Sequence, residues 1–315
     1  MNKRVSLIIL LVTSFLIPQS AQAWDAVGHQ VVARIAWENM TPTARRNVVN
    51  LLREAPRDAC LRNLFPNNSQ PLSVRQRQFF MLASTWPDIV RPGRNDTRPC
   101  TRFHQRDWHF INFFWSGVSG DAPQDVTSIP TPLINAVERL GVFRSSVNGG
   151  GQASDRATQL AWILHLVGDI HQPLHTSARV TTEAGESRGD QGGNLFKLGP
   201  GENALSLHSY WDGIIGRSIR RRRNEGDFAY LDRVAGRIMA DHPRASLIGR
   251  LRPLQFDAWA REGFDTTKRA VYPSSLERGQ MPSENYRRNA FTIADEAIAI
   301  GGYRLADMMN QLFGS

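Results

Sequence analysis

Apolar and polar positions follow the 3.6-residue period of an amphipathic helix along most of this chain. In HQVVARIAWENM, residues 29–40, Val32, Ile35, Ala36 and Met40 fall on one face. Thr41 and Pro42 then read as the N-cap and first helical position of a second helix through TARRNVVNLLREA. The period returns in SVRQRQFFMLAST, TPLINAVERL, SDRATQLAWILHLVGDI, LSLHSYWDGIIGRSIRR, DFAYLDRVAGRIMADH and LQFDAWAREGFDTTKRAVY. A long last helix is expected within SENYRRNAFTIADEAIAIGGYRLADMMNQLF. Strand signals are weak. DWHFINFF is short and aromatic, and the glycine-rich EAGESRGDQGGNLFKLGP reads as a long loop with room for a small hairpin. IVRPGRNDTRPCTRFHQRD shows no element, and long loops in compact domains are often functional. The expectation is an all-α protein, a single compact helical domain over residues 24–315, without linker or internal repeat.

The first 23 residues break this pattern. MNKR is a basic start, VSLIILLVTSFLI an apolar run and PQSAQA a small-residue cleavage region, together the form of a secretory signal peptide removed after Ala23. The alternative is a membrane anchor. The run falls short of the roughly 18–20 apolar residues of a span and ends at Pro18. The mature chain is expected in the periplasm or the medium, off the membrane and monomeric. Its charge of +9 falls to +7 once Lys3 and Arg4 are removed, and nearly all the basic residues are arginine. Arginine suits bidentate phosphate contacts, although genomic codon bias produces the same excess. A positive balance favours a polyanionic partner or substrate. Cys60 and Cys100 form either one disulfide, as export suggests, or two buried thiols.

Candidate chemistry gathers around the histidines. ILHLVGDIHQPLH places His165 and Asp169 four residues apart, on one face of a helix, with His175 just past Pro173. LHSYWD repeats the spacing with His208 and Asp212. One such pair is often an ordinary helix-surface hydrogen bond. Two pairs, with His109 among aromatics in WHFIN and Asp88 in TWPD, bury more polar groups than apolar surroundings tolerate without a partner. A metal cluster satisfies them together, and mixed imidazole and carboxylate ligands suit zinc. Cleavage after Ala23 also frees the amine of Trp24. With a reference pKa of about 7.7–8.0, that amine is partly neutral near pH 7 and can chelate a metal together with its own carbonyl. His29 lies five residues further on.

The set WDAVGH, TWPDIVR, WHFIN, LHLVGDIHQPLH, GGN and LHSYWD resembles the S-one/P-one family of zinc-dependent, single-strand-preferring nucleases. The motifs run from Trp24 to Asp212; the helical remainder carries none. The resemblance implies a helical fold with a cleft holding three zinc ions. It assigns Asp88, His109, His165 and Asp169 to the first ion. Trp24 and His29 take the second, with Asp169 bridging. His175, His208 and Asp212 take the third. His171 is not assigned as a ligand. The substrates implied are single-stranded DNA and RNA, cut to 5′-phosphorylated products. By this resemblance, two close zinc ions lower the pKa of a shared water and the third stabilises the departing 3′ oxygen. Arg91 matches a family arginine near the scissile phosphate, and Asn194 of GGN takes an orienting or substrate role. One departure stands out: Asn112 occupies a position where the fungal enzymes carry an aspartate, and an amide cannot act as a carboxylate base.

Two other readings remain at this level. A zinc-dependent phospholipase C shares the three-metal plan and the N-terminal tryptophan. The close Trp24–His29 spacing and Asp212, where that family has glutamate, favour the nuclease. An exported, non-catalytic zinc- or nucleic-acid-binding protein is the other; open mixed-ligand sites favour catalysis over it. A run of arginines in RSIRRRR, residues 217–223, reads as a backbone-tracking patch or as a solvated helix end.

Overall fold

The computed structural model describes residues 24–117, 122–201 and 204–315. The expected leader over residues 1–23 lies outside the described residues. The chain is mostly helical, as its periodicity predicts. The first helix, α1 (Ala26–Asn39), is capped by the Asp25 carboxylate, which accepts from the backbone N–H groups of Val27 and Gly28. Then come α2 (Pro42–Leu52), capped by Thr41 as expected, α3 (Leu72–Ala83) and the short α4 (Trp86–Ile89). Next are α5 (Ala136–Asn148), α6 (Ala153–Asp169), α7 (Leu207–Asp212) and α8 (Ile214–Ser218). The last four are α9 (Asp227–Asp241), α10 (Arg244–Leu247), α11 (Phe256–Thr266) and α12 (Glu284–Phe313), the last of 30 residues.

Helix α1 lies at the centre, packed on α12, α9, α3 and α6. Its buried positions, Val31, Val32, Ile35 and Ala36, include the face read from the sequence. One continuous apolar cluster joins these helices. Helix α6 is buried along its whole second half, Ala157 to Asp169 except Gln159, so His165 and Asp169 sit in the interior rather than on a wet face.

Strand structure is minor. The strands are β1 (Phe113–Ser116), β2 (Gln124–Asp125), β3 (Ser177–Val180), β4 (Lys197–Leu198) and β5 (Leu205–Ser206). In the first sheet β1 pairs antiparallel with β2 and parallel with β3, Phe113 facing Ser177. This parallel pair joins the segment after His109 to the segment after His175. Strands β4 and β5 form a hairpin that starts in the glycine-rich run but closes beyond it, on the first two residues of the segment read as helical.

Several elements differ from the periodic reading for local reasons. LHSYWDGIIGRSIRR is two helices, broken at Gly213 directly after Asp212. TPLINAVERL does not become helical until Ala136, because the Asn135 side chain accepts from the N–H groups of Val137 and Glu138 and so starts the helix there. DWHFINFF contributes only its last residues to a strand; Arg106–Trp108 form a 3₁₀ turn.

Cys60 and Cys100 form a disulfide, with Cα atoms 5.7 Å apart. It joins a 3₁₀ turn at Arg57–Ala59 to another at Pro99–Phe103, and an Arg102–Asp58 ion pair of 2.9 Å runs alongside. The long segment after Arg91, which shows no element in the sequence, is thereby anchored at its middle. The arginine run lies mostly beyond α8. Arg221 pairs with Asp227, and the Arg222 N–H donates to Glu225, which also pairs with Arg233. Carboxylates therefore face part of this basic run.

Candidate metal centre

Eight side chains from distant parts of the chain meet at the buried end of α6 and the start of the segment after it. The α1 helix brings His29, and α4 brings Asp88. The turn after Trp108 brings His109, α6 brings His165 and Asp169, and the turn after Pro173 brings His175. The α7 helix adds His208 and Asp212 on successive turns, as their spacing predicts. Among the described residues, three groups have ligand atoms within 4.8 Å of one another: His29 with His165 and Asp169, Asp88 with His109 and His165, and His175 with His208 and Asp212.

Asp169 stands between the first two groups. Its Oδ1 is 3.3 Å from His29 Nε2. Its Oδ2 is 3.2 Å from His109 Nδ1 and 3.4 Å from His165 Nε2. The two oxygens thus face opposite sides. Gly168 makes the approach to His29 feasible: a Cβ there would lie 2.7 Å from His29 Nδ1. In the third group His208 Nε2 is 3.5 Å from Asp212 Oδ2, and His175 Nε2 is 4.0 Å from Asp212 Oδ1.

Tautomer chemistry identifies what these groups accommodate. His175 Nδ1 faces the carbonyl oxygen of His109, and His208 Nδ1 faces that of Gly192, each at 2.7 Å. A carbonyl only accepts, so each Nδ1 carries the hydrogen and each Nε2 presents a lone pair. Those two Nε2 atoms face each other at 3.1 Å. Two lone pairs at that distance repel unless a proton or a metal cation lies between them. Burial disfavours the proton: it pushes His175 well below its usual range and His208 down to about 4. A metal cation is the occupant that fits. His165 repeats the pattern, its Nδ1 hydrogen donated to Ser84 O at 2.7 Å.

The rest of the centre agrees. Both ring nitrogens of His29, both oxygens of Asp169, Asp88 Oδ1, His109 Nε2 and Asp212 Oδ2 are buried without a hydrogen-bond partner. Each such group costs about 1–3 kcal/mol when left unsatisfied. Burial also raises the carboxyls of Asp169 and Asp212 well above the usual range. Neighbouring carboxylates add to both shifts, and Arg91 opposes the one on Asp169. Burial lowers His29 and His109. The donor set is imidazole and carboxylate, which suits zinc.

Trp24 is fully buried, and the Asp25 N–H donates to Asp212 O at 2.9 Å, so the start of the described chain lies against the end of α7. Arg91 lies 3.6 Å from Asp88 and lines a cleft of about 550 Å³ that opens over His109, His175 and His208. Asn112 and Asn194 line the same cleft. His171 points away: it donates from Nδ1 to Val167 O and accepts at Nε2 from Arg304. Gly192 of GGN has φ +62°, and a Cβ there would come 2.4 Å from Leu174 O. Only glycine can deliver the carbonyl that fixes His208.

Residues that pattern reading passed over also shape the site. Gln172, fully buried, donates from Nε2 to Asp212 Oδ1 at 2.7 Å and accepts from Leu174 N at 2.6 Å, bracing the third group. A polar residue inside HQPLH was the available signal. His104, Arg106, Phe110, Gln191 and Lys197 line the cleft; they lie in loops, a 3₁₀ turn or the short hairpin, with no periodicity to single them out.

A helical protein whose cleft gathers three His/Asp constellations, each suited to a metal, is the class that fold and site define. A family model described as S1/P1 Nuclease matches residues 24–314, and the chain belongs to that family. It is similar to Endonuclease 2 of Arabidopsis thaliana, 22% identical over 99% of both chains. It is also similar to Endonuclease 3 of the same plant, 23% identical over 99% of this chain and 96% of the other. Endonuclease 4 is 25% identical over half of each.

Proposed function

We propose that this nuclease is an exported, zinc-dependent enzyme that hydrolyses phosphodiester bonds in single-stranded DNA and RNA, leaving 5′-phosphates, with 3′-nucleotidase activity besides. The facing lone pairs of His175 and His208, inside a set of buried unpartnered donors, carry the metal requirement. Asp88, His109, His165 and Asp169 would hold one ion, Trp24, His29 and Asp169 a second, and His175, His208 and Asp212 a third. Zinc bound there supplies an activated water near neutral pH and a counter-charge for the leaving oxygen.

The chain's own residues do the rest. Asp169 turns one oxygen to each of two groups and so fixes their separation. Arg91, at the cleft wall beside Asp88, offers a permanent positive charge to a phosphate entering the cleft. Asn112 lines the cleft and donates or accepts hydrogen bonds without exchanging a proton. It therefore orients substrate, and the enzyme needs no carboxylate at that position. The recessed centre favours a flexible single strand, which can bend a phosphate into the cleft where a duplex cannot. A phospholipase C reading has no observation that favours it.

The test is metal analysis with a single-strand cleavage assay on protein beginning at Trp24. About three zinc ions per chain and cleavage of single-stranded over duplex DNA are expected. Asp169→Asn should fold and lose nearly all turnover. Near-wild-type cleavage by that variant contradicts the assignment, as does hydrolysis of phosphatidylcholine in preference to nucleic acid.

A further inference from the structure

A second groove, of about 630 Å³, adjoins the cleft over the metal centre and shares Arg106, Phe110 and Asn112 with it. Its far wall is the loop Pro132–Asn135. There Leu133 is 90% exposed and Ile134 54%, two adjacent large apolar side chains held in water. They are not the loose tip of an unstructured segment. Thr131 Oγ1 donates to Asn112 O at 3.0 Å, and the Ala136 N–H donates to Phe110 O at 3.0 Å. Asn135 Nδ2 donates to Pro132 O at 2.8 Å. The loop is thus tied at both ends to the two residues that separate the groove from the cleft. Its apolar pair keeps a fixed place relative to the metal centre while contributing nothing to the core.

We infer that this groove is a subsite for a nucleotide beyond the two that flank the scissile phosphate of a single-stranded substrate, with its base laid against Leu133 and Ile134 and its phosphate turned to Arg106. The inference rests on the nuclease reading and extends it. The groove is continuous with the cleft, so a strand with one phosphate at the metal centre reaches it across Phe110 and Asn112. Arg106, on the shared wall, suits a polyanion; Asp107 is the opposing charge in the lining. An exposed apolar surface takes any base, because every base has an apolar face. A base inside a duplex is stacked on its neighbours and has no free face to offer, so the subsite selects for single strands independently of the depth of the cleft.

The test compares kcat/KM for wild type and Leu133→Asp, zinc-loaded, on a single-stranded oligonucleotide and on a dinucleotide too short to reach the groove. Leu133 is nearly fully exposed, so the variant does not threaten the core. The expected result is a fall of about tenfold on the oligonucleotide with less than a twofold change on the dinucleotide, the scale of one lost base contact. Leu133→Trp should move the ratio the other way. Equal effects on both substrates, or none on either, overturn the subsite while leaving the nuclease reading intact. So does a change confined to the protein's elution volume, which would mark the loop as a protein interface. A wild type that cleaves neither substrate overturns the nuclease reading, and the subsite with it.

Discussion

At the residue scale the centre is a problem of unsatisfied donors and acceptors. Gln172 meets one of them, donating to Asp212 from full burial. Gln172→Leu keeps the volume and removes that donor. Partners of metal ligands typically contribute 10–100-fold in affinity or activity. The variant should therefore lose activity by about that factor, with the zinc most easily chelated affected first. Equilibrium dialysis with zinc and a parallel rate assay would show it; unchanged zinc retention would mean that Gln172 only packs. Protonation offers a second reading of the same residues. In metal-free protein, burial raises the carboxyls of Asp169 and Asp212, so they hold protons at pH values where free carboxyls have lost them. Their contribution to stability is present at low pH. It is lost as pH climbs from about 4 through the raised values. The histidines run the opposite way: held neutral by burial, they stabilise the fold above about 6.5 and cost stability as pH falls below it. Zinc bound at these carboxylates, as proposed, would have to displace their protons. Adding it to stripped protein in weak buffer should release protons, and its affinity should weaken as pH drops; a zinc titration at pH 6 without proton release contradicts this.

At the element scale, the helices were legible and the turns were not. The buried face of α1 follows directly from apolar periodicity, and so did the pairs His165–Asp169 and His208–Asp212, since a helix sets their spacing; α6 is instead buried nearly all round from Ala157 onward. What periodicity could not supply was the geometry between elements. The breaks at Asn135 and Gly213 come from capping and from a glycine inside a helical pattern. Ser84 and His109 act through backbone carbonyls, which have no sequence signature. GGN was visible as a motif, but its physical task, presenting the Gly192 carbonyl to His208, appears only in three dimensions. Gly192→Ala tests that task. The left-handed backbone and the close Leu174 oxygen should cost about 1–3 kcal/mol. The local shift should loosen His208 and reduce activity well beyond what the lower melting temperature explains. Unaltered zinc binding at full activity would leave Gly192 a mere turn residue.

At the scale of the molecule, the two ends of the motif set close on each other. The backbone at Asp25 is hydrogen-bonded to Asp212, the last ligand candidate in the chain, and Trp24 is buried beside α1. One extra residue before Trp24 would turn its amine into an amide nitrogen, a poor zinc ligand at neutral pH. Such a form should fold, carry fewer zinc ions and lose most nuclease activity, whereas a C-terminal tag should do no harm. Zinc per chain and initial rate, measured for both starts, decide the point: equal values would make Trp24 an ordinary boundary residue.

That arrangement bears on the cell that makes the protein. A nuclease acting on single strands is a hazard to its producer, whose messenger RNA is single-stranded. With the α-amino group of Trp24 as a ligand, the finished catalyst cannot exist while a leader remains attached upstream. Synthesis would then yield a latent precursor, and the proteolytic cut that accompanies export would arm it on the far side of the membrane. Such a device would need no inhibitor protein and no prosegment of its own; the peptide bond between Ala23 and Trp24 would be the safety catch.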